Sequence, residues 1–382
     1  MSVRLRMILV ALCCCILVGT AQQQDVVHSK RVASGVTHTS YERPGPCSLH
    51  VLELDLRDPN VRLESFRMTK LVRTSTQSSA NEREGHHVVG VINADFFSFQ
   101  TGWPVGNQVM NGKVIHGSPS LRSHIGFTKD GKPRIGQFSF RGSVILKSGA
   151  RLSIDRVNER RANDRTILYT SEWDTALTVN ASDKVLVSRI IGGQWRTGVT
   201  IKAVVVSFGV YSDSSISYDA SALLVTDAKV IRATAGQVRK GDTVSVLLDF
   251  EPHSGGLTEV LGGGGRILEN GVFDSTKAMS SEKLASDFLT RRHPRTFVGF
   301  DRDTTRLFLC VVDGRQESSI GMNFQEMADF LRSIGAWNAV NLDGGGSTTM
   351  VVAGVIVNSP SDKTGERPVA NTLQVITTKR QE

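Results

Sequence analysis

Short runs of valine, isoleucine, leucine and phenylalanine recur along this chain, separated by clusters of glycine, asparagine, aspartate and serine. That punctuation restricts most of the chain to strands. Leu52, Leu54 and Leu56 alternate with Glu53 and Asp55, the period of a strand with one buried face. Val88 to Asn93 is almost wholly apolar, as in a strand covered on both faces. Asn111-Gly112 stands between Gln108-Val-Met110 and Lys113-Val-Ile115. Asp130-Gly131 stands between His124–Thr128 and Arg134–Phe138. Both dipeptides supply the left-handed backbone that a tight hairpin needs.

Helix signals are sparse. Phe324, Met327, Phe330, Leu331 and Ile334 share one helical face; Asn323 offers an N-cap, Glu326 the acid of a capping box, and Gly335 the stop. Ser281 to Thr290 is a weaker helical candidate. The expected class is α+β: a large mixed, strand-rich sheet core with few helices. One domain is expected over 22–382. A more polar, strand-like stretch at about 140–259, which carries no chemical motif, reads as an inserted β-rich subdomain.

Arg4 and Arg6 precede an apolar run from Met7 to Val18, then Gly19-Thr20-Ala21. This is the charge order and cleavage chemistry of a secretory signal peptide at 1–21, and the run is too short to span a bilayer. A lipid-modified cysteine within Cys13-Cys-Cys15 is the runner-up. The expected location is secreted, periplasmic or otherwise extracytoplasmic, with no integral membrane span in the mature chain. Of five cysteines, Cys47 and Cys310 would remain, enough for one internal disulfide at most; Cys310, in an apolar run, reads as a buried strand residue. The formal charge of +8 falls by two when Arg4 and Arg6 leave, and the basic residues are scattered. No nucleic-acid partner is expected, whereas an anionic small substrate suits the field.

The chemistry concentrates in Asn341-Leu-Asp343-Gly344-Gly345-Gly346-Ser347-Thr348-Thr349, placed between two expected strands. Three consecutive glycines expose amides and let a ligand approach closely, and Asp343 would project at a strand end. No Gly-Lys-Ser/Thr follows, which excludes a nucleotide P-loop. Taken alone, the segment fits a glycine-rich strand turn as well as a ligand cradle. Further polar groups fall at strand ends: Asn93-Ala-Asp95-Phe-Phe97, Arg295-Thr296, Asp313-Gly-Arg315, and Glu366-Arg367-Pro368 with Asn371. Each could equally be a charged turn. A second glycine run, Gly262 to Gly265, reads as a turn or close-packed backbone.

In this order, over roughly 88–376, these segments resemble the motif series of the phosphodiester glycosidase family. Asn-Leu-Asp-Gly-Gly-Gly-Ser is the most specific string. One departure stands out: Asn-Ala-Asp-Phe-Phe where many members have Asn-Gly-Gly-Phe-Phe, which adds the Asp95 carboxylate.

The resemblance implies cleavage between a sugar's anomeric carbon and a phosphodiester oxygen. A phosphate leaving group is already a stable anion, so such a site needs cations and amides at the phosphate and a carboxylate at the oxocarbenium-like carbon. On that implication Arg295 and Arg315 face phosphate, the loop amides face phosphate or sugar, and Asn93, Thr296, Ser347, Arg367 and Asn371 complete the binding set. Asp343 is nucleophile, base or stabiliser, and Asp95, Asp313 and Glu366 are candidates for a second carboxylate. No cofactor or catalytic metal is expected, although Asp343 or Asp313 would suit a structural calcium. The partner is a sugar-phosphate or glycan. Three rival readings remain: hydrolysis of an envelope or extracellular polysaccharide, non-catalytic exopolysaccharide binding, and a metal-dependent phosphodiesterase. The nine histidines lack the spacing the last would use.

Overall fold

The computed structural model describes residues 25–162, 165–174, 184–193, 196–210, 222–226, 238–252 and 256–379. The expected signal peptide lies outside them. The architecture is the strand-rich α+β expected, built from several sheets with few helices.

Two sheets position the site. A seven-stranded sheet runs Val26–Ala33, Val36–Arg43, Cys47–Asp55, Arg306–Val312, Arg295–Phe300, Asn338–Asn341, Arg266–Leu268. A five-stranded sheet runs Val355–Ile356, Met350–Val352, His87–Asn93, Thr372–Thr377, Val61–Phe66. They pack through Leu52, Leu309, Val298 and Val340 on one side and Ile92, Met350, Leu373 and Val375 on the other, all buried. The apolar character of His87–Asn93 and Thr372–Thr377 follows, since both strands are covered on both faces.

On its other face the seven-stranded sheet carries helix Phe324–Ser333. Asn323 Oδ1 accepts from the Glu326 N–H and Glu326 Oε2 accepts from the Asn323 N–H, both at 2.9 Å, which is the expected capping box. The weaker helical candidate is corrected. Two short helices, Ser275–Glu282 and Ser286–Thr290, replace it, divided at Lys283, whose φ of 52° breaks the α ladder.

Both hairpins form: Gln108–Met110 with Lys113–His116, and His124–Thr128 with Pro133–Gly136, members of a second five-stranded sheet that Leu257–Gly262 joins. Asn111 and Gly112 take the positive φ values, 51° and 81°, that a non-glycine residue other than asparagine rarely adopts. The middle of the chain builds an eight-stranded sheet from strands between Ser139 and Glu251. Its core is continuous with the hairpin sheet through Val109, Val114, Leu257 and Val260. Cys47 and Cys310 are buried and unbridged. Among the described residues no helix is long and apolar enough to cross a membrane.

Candidate active site

The site forms where His87–Asn93 and Asn338–Asn341, strands of different sheets, end side by side. Asn93 fastens the two ends. Its Nδ2 donates to the Asp343 carbonyl at 2.7 Å, and its Oδ1 accepts from Thr296 Oγ1 at 2.7 Å and from the Thr349 N–H at 3.1 Å. A buried amide with donors and an acceptor satisfied in this way has a single orientation. The Asp343 N–H then donates to the Ala94 carbonyl at 2.8 Å, which sets Asp343 beside Asp95.

Asp95 is buried. Its N–H donates to Asn371 Oδ1 and its Oδ2 accepts from the Gly106 N–H at 3.0 Å. Burial drives its carboxyl well above the usual range, and the Asp343 charge raises it further; the amides of Gly106 and Gly262 and the Arg122 guanidinium act the other way. Asp343 is half-buried and its pKa is raised to about 6, by burial against the opposing pull of the Ser347 hydroxyl, the Gly344 amide and Arg367. Of the two, Asp343 titrates at about 6, and burial together with the Asp343 charge pushes Asp95 toward its neutral form.

Glycines make this closeness possible. A Cβ on Gly262 would lie 2.3 Å from Asp95 Oδ2, and one on Gly106 2.7 Å from the same oxygen. Gly263 lies against the Asn341 carbonyl, so the second glycine run is close-packed backbone, as expected, and forms a wall of the site.

The loop after Asp343 carries two cations. A Cβ on Gly345, whose φ is 63°, would sit 3.2 Å from Arg315 Nη1, and one on Gly346 2.3 Å from Arg367 Nη2. Arg315 is exposed, and its Nη2 lies 3.4 Å from His293 Nδ1. Burial and then Arg295 and Arg315 lower the pKa of His293, which keeps that ring neutral. Arg367 is held by Asp362 through Nε at 2.7 Å. The hydroxyls of Thr348 and Thr349 and Asn341 Oδ1 are buried without a hydrogen-bond partner, an uncommon condition for groups beside a cleft.

Other sequence candidates stand elsewhere. Arg295 is buried between Phe288 and Phe324, and donates from Nε to the Met322 carbonyl and from Nη2 to the carbonyls of Phe288 and Arg291. Both Glu366 oxygens accept from Ser75, from its N–H at 2.7 Å and its hydroxyl at 2.6 Å, at the start of helix Thr74–Asn81. Both Asp313 oxygens accept from the 358–359 segment, from Asn358 Nδ2 and the Ser359 N–H at 2.9 Å each. Asp95 is thus the candidate that the fold brings to Asp343. Gly106 and Arg122 adjoin Asp95 without having been picked out from the sequence, which offers no local sign that they converge there with Gly262, read from the sequence only as a turn or close-packed backbone. Among the described residues no three or more His, Cys, Asp or Glu side chains converge to hold a metal ion.

Two relatives are N-acetylglucosamine-1-phosphodiester alpha-N-acetylglucosaminidases. The mouse protein is 47% identical over 77 residues, covering 20% of this chain and 14% of that protein. The human protein is 44% identical over 77 residues, covering 20% and 15%. The chain therefore matches only a small part of these relatives' length. A hypothetical protein from Synechocystis has a solved structure that shares the fold, with a TM-score of 0.71 at 21% identity over 90% of this chain and 62% of that one. A candidate exported protein from Burkholderia pseudomallei K96243 shares it as well, with a TM-score of 0.67 at 19% identity over 86% and 74%. Residues 196–376, which include Asp343 and the loop cations, match the phosphodiester glycosidase family, and it is this family that the chain resembles.

Proposed function

We propose that this chain is an exported hydrolase that cleaves the anomeric C–O bond of a sugar-1-phosphodiester, releasing free sugar and a phosphomonoester. The observation that carries the reading is the carboxylate pair, Asp343 joined through the Ala94 carbonyl to the buried Asp95, with the Arg315 and Arg367 guanidinium groups packed against Gly345 and Gly346 of the adjoining loop. The match of residues 196–376 to phosphodiester glycosidases supports the same chemistry.

In this reading the phosphate lies along the loop of Gly344, Gly345 and Gly346, where amides and the two guanidinium groups meet its charge. The Asp343 carboxylate faces the anomeric carbon and stabilises positive charge as the bond to phosphate lengthens. The bonding pair leaves with the phosphate oxygen, and water supplies the oxygen that ends on the sugar. Asp95 is a positioning residue, whose carboxyl is pushed toward its neutral form by burial and so limits the charge packed beside Asp343. Asn93, Thr296 and Asn371 hold the pair in place.

The test is sugar release from sugar-1-phosphodiesters by purified protein, beside Asp343→Asn. Undiminished turnover in the variant removes Asp343 from the chemistry. Absence of turnover on every sugar phosphodiester, with product formed from a glycan, replaces the function with polysaccharide hydrolysis. Glycan binding without product, unchanged in Asp343→Asn, replaces it with a binding role.

A further inference from the structure

A cavity of about 600 Å³ lies beside the residues that hold Asp95, and no step of the proposed chemistry uses it. Its walls include Trp103, His116, Arg122, Glu159, Arg160 and Lys283. Two contacts connect it to the site. The His116 ring is hydrogen-bonded through Nδ1 to the Gly106 carbonyl at 2.7 Å, and the Gly106 N–H donates to Asp95 Oδ2. Arg122 borders both spaces: it lines the cavity, lies over the Phe96 ring, and its charge acts on Asp95.

The charges of the cavity do not cancel. Its two acids are already committed. Glu159 pairs with Arg156 at 2.7 Å, and Glu282 accepts from Ser123, Gly265 and Arg266. Arg122, Arg160 and Lys283 line the same space and form no ion pair among the described residues. An opening of this volume accommodates a group of sugar size, and three uncommitted cations favour an anionic one.

We propose that this cavity is the subsite for the group on the far side of the phosphate, and that it selects groups bearing a negative charge of their own, a carboxylate or a second phosphate. The proposal rests on the phosphodiester reading, because only there does a group lie on the far side of a phosphate. Arg122 stands between the two spaces, with Arg160 and Lys283 further along the wall.

Product-side binding tests it without relying on turnover. Calorimetry with glycerol 3-phosphate and 3-phosphoglycerate compares two phosphomonoesters that differ by one carboxylate. The unmodified protein binds 3-phosphoglycerate about tenfold more tightly, the order expected of one charge-assisted contact. In Arg160→Glu that ratio collapses toward one; since both probes are measured on the same preparation, a general loss of folded protein cannot imitate the change. Equal affinity for the two probes in the unmodified protein, binding of neither, or a ratio that survives Arg160→Glu overturns the proposal. Turnover assays on sugar-1-phosphodiesters decide the underlying reading separately, since release of sugar with equal probe affinities rejects only the subsite.

Discussion

The Asp343 N–H donates to the carbonyl of Ala94, the residue that precedes Asp95, so one backbone hydrogen bond of 2.8 Å holds the two carboxyl groups in register. The Asp343 charge is itself one reason, after burial, that the Asp95 pKa is raised. The two carboxyl groups therefore titrate as a coupled pair.

Asp343→Asn keeps the shape and removes the charge. Sugar release falls on the order of 10²-fold or more, the scale of losing one preorganised electrostatic group, while the far-ultraviolet circular dichroism spectrum is retained. A loss of less than threefold would assign the chemistry to another residue.

Activity follows the Asp343 titration. Its folded pKa is about 6, so the active carboxylate is lost as pH falls through 6, and kcat/KM drops on the acid side about tenfold per unit well below that value. A pH–rate profile measures the limb. An acid limb near pH 4 would mean that burial does not raise Asp343.

Glu259 makes a separate prediction about stability. It is buried, accepts from the N–H groups of Ser65 and Asn111, and burial raises its pKa to about 8. The folded form therefore binds a proton that the unfolded chain has released above its ordinary range. Stability falls as pH rises from about 4.5 to about 8, by at most a few kcal/mol at roughly 1.4 per unit. Thermal unfolding of Glu259→Gln beside the unmodified protein across that window shows the slope flatten in the variant. Parallel curves would refute the assignment.

Gly262→Ala places a methyl group 2.3 Å from Asp95 Oδ2 and 2.5 Å from its Cγ and Oδ1, a buried carboxyl with its own hydrogen bonds to keep. It lowers stability by about 1–3 kcal/mol, as overpacking does, and lowers kcat as well because Asp95 must move. Gly346→Ala meets the ends of two side chains, Arg367 and its partner Asp362. That variant keeps its thermal midpoint within a few degrees and shows the change chiefly in KM. Equal unfolding midpoints for the two variants would refute the packing account.

Glu366→Gln distinguishes an anchor from a catalyst. Glu366 spends both oxygens on Ser75, so the substitution destabilises by about 1–3 kcal/mol, with kcat within a fewfold of the unmodified protein. A kcat loss comparable with that of Asp343→Asn would return Glu366 to the chemistry.

What could be read from the sequence was local. The Asn111-Gly112 hairpin and the Asn323–Glu326 capping box depend on residues at most a few positions apart, and both form as expected. The partners of Glu366 and Asn93 lie 291 and 250 positions away, so no spacing rule reaches them. Arg295 shows the limit most clearly. Its charge suggested phosphate, but its place within a strand carries the guanidinium to three main-chain carbonyls and two aromatic rings. Lys283 divides a helix that side-chain periodicity alone would have continued, because a left-handed backbone at a lysine leaves no sign in the hydrophobic pattern.

The reach of Asn93 bears on when the site comes into being. One amide gathers residue 296, residue 343 and residue 349 around a strand that is synthesised long before any of them. A growing chain that has made Asp95 has neither its partner carboxylate nor the hydrogen bonds that orient it. On the proposed chemistry, a ribosome-bound or proteolytically shortened chain ending before Thr349 is inert, and activity reports that the late strands have folded back onto the early ones.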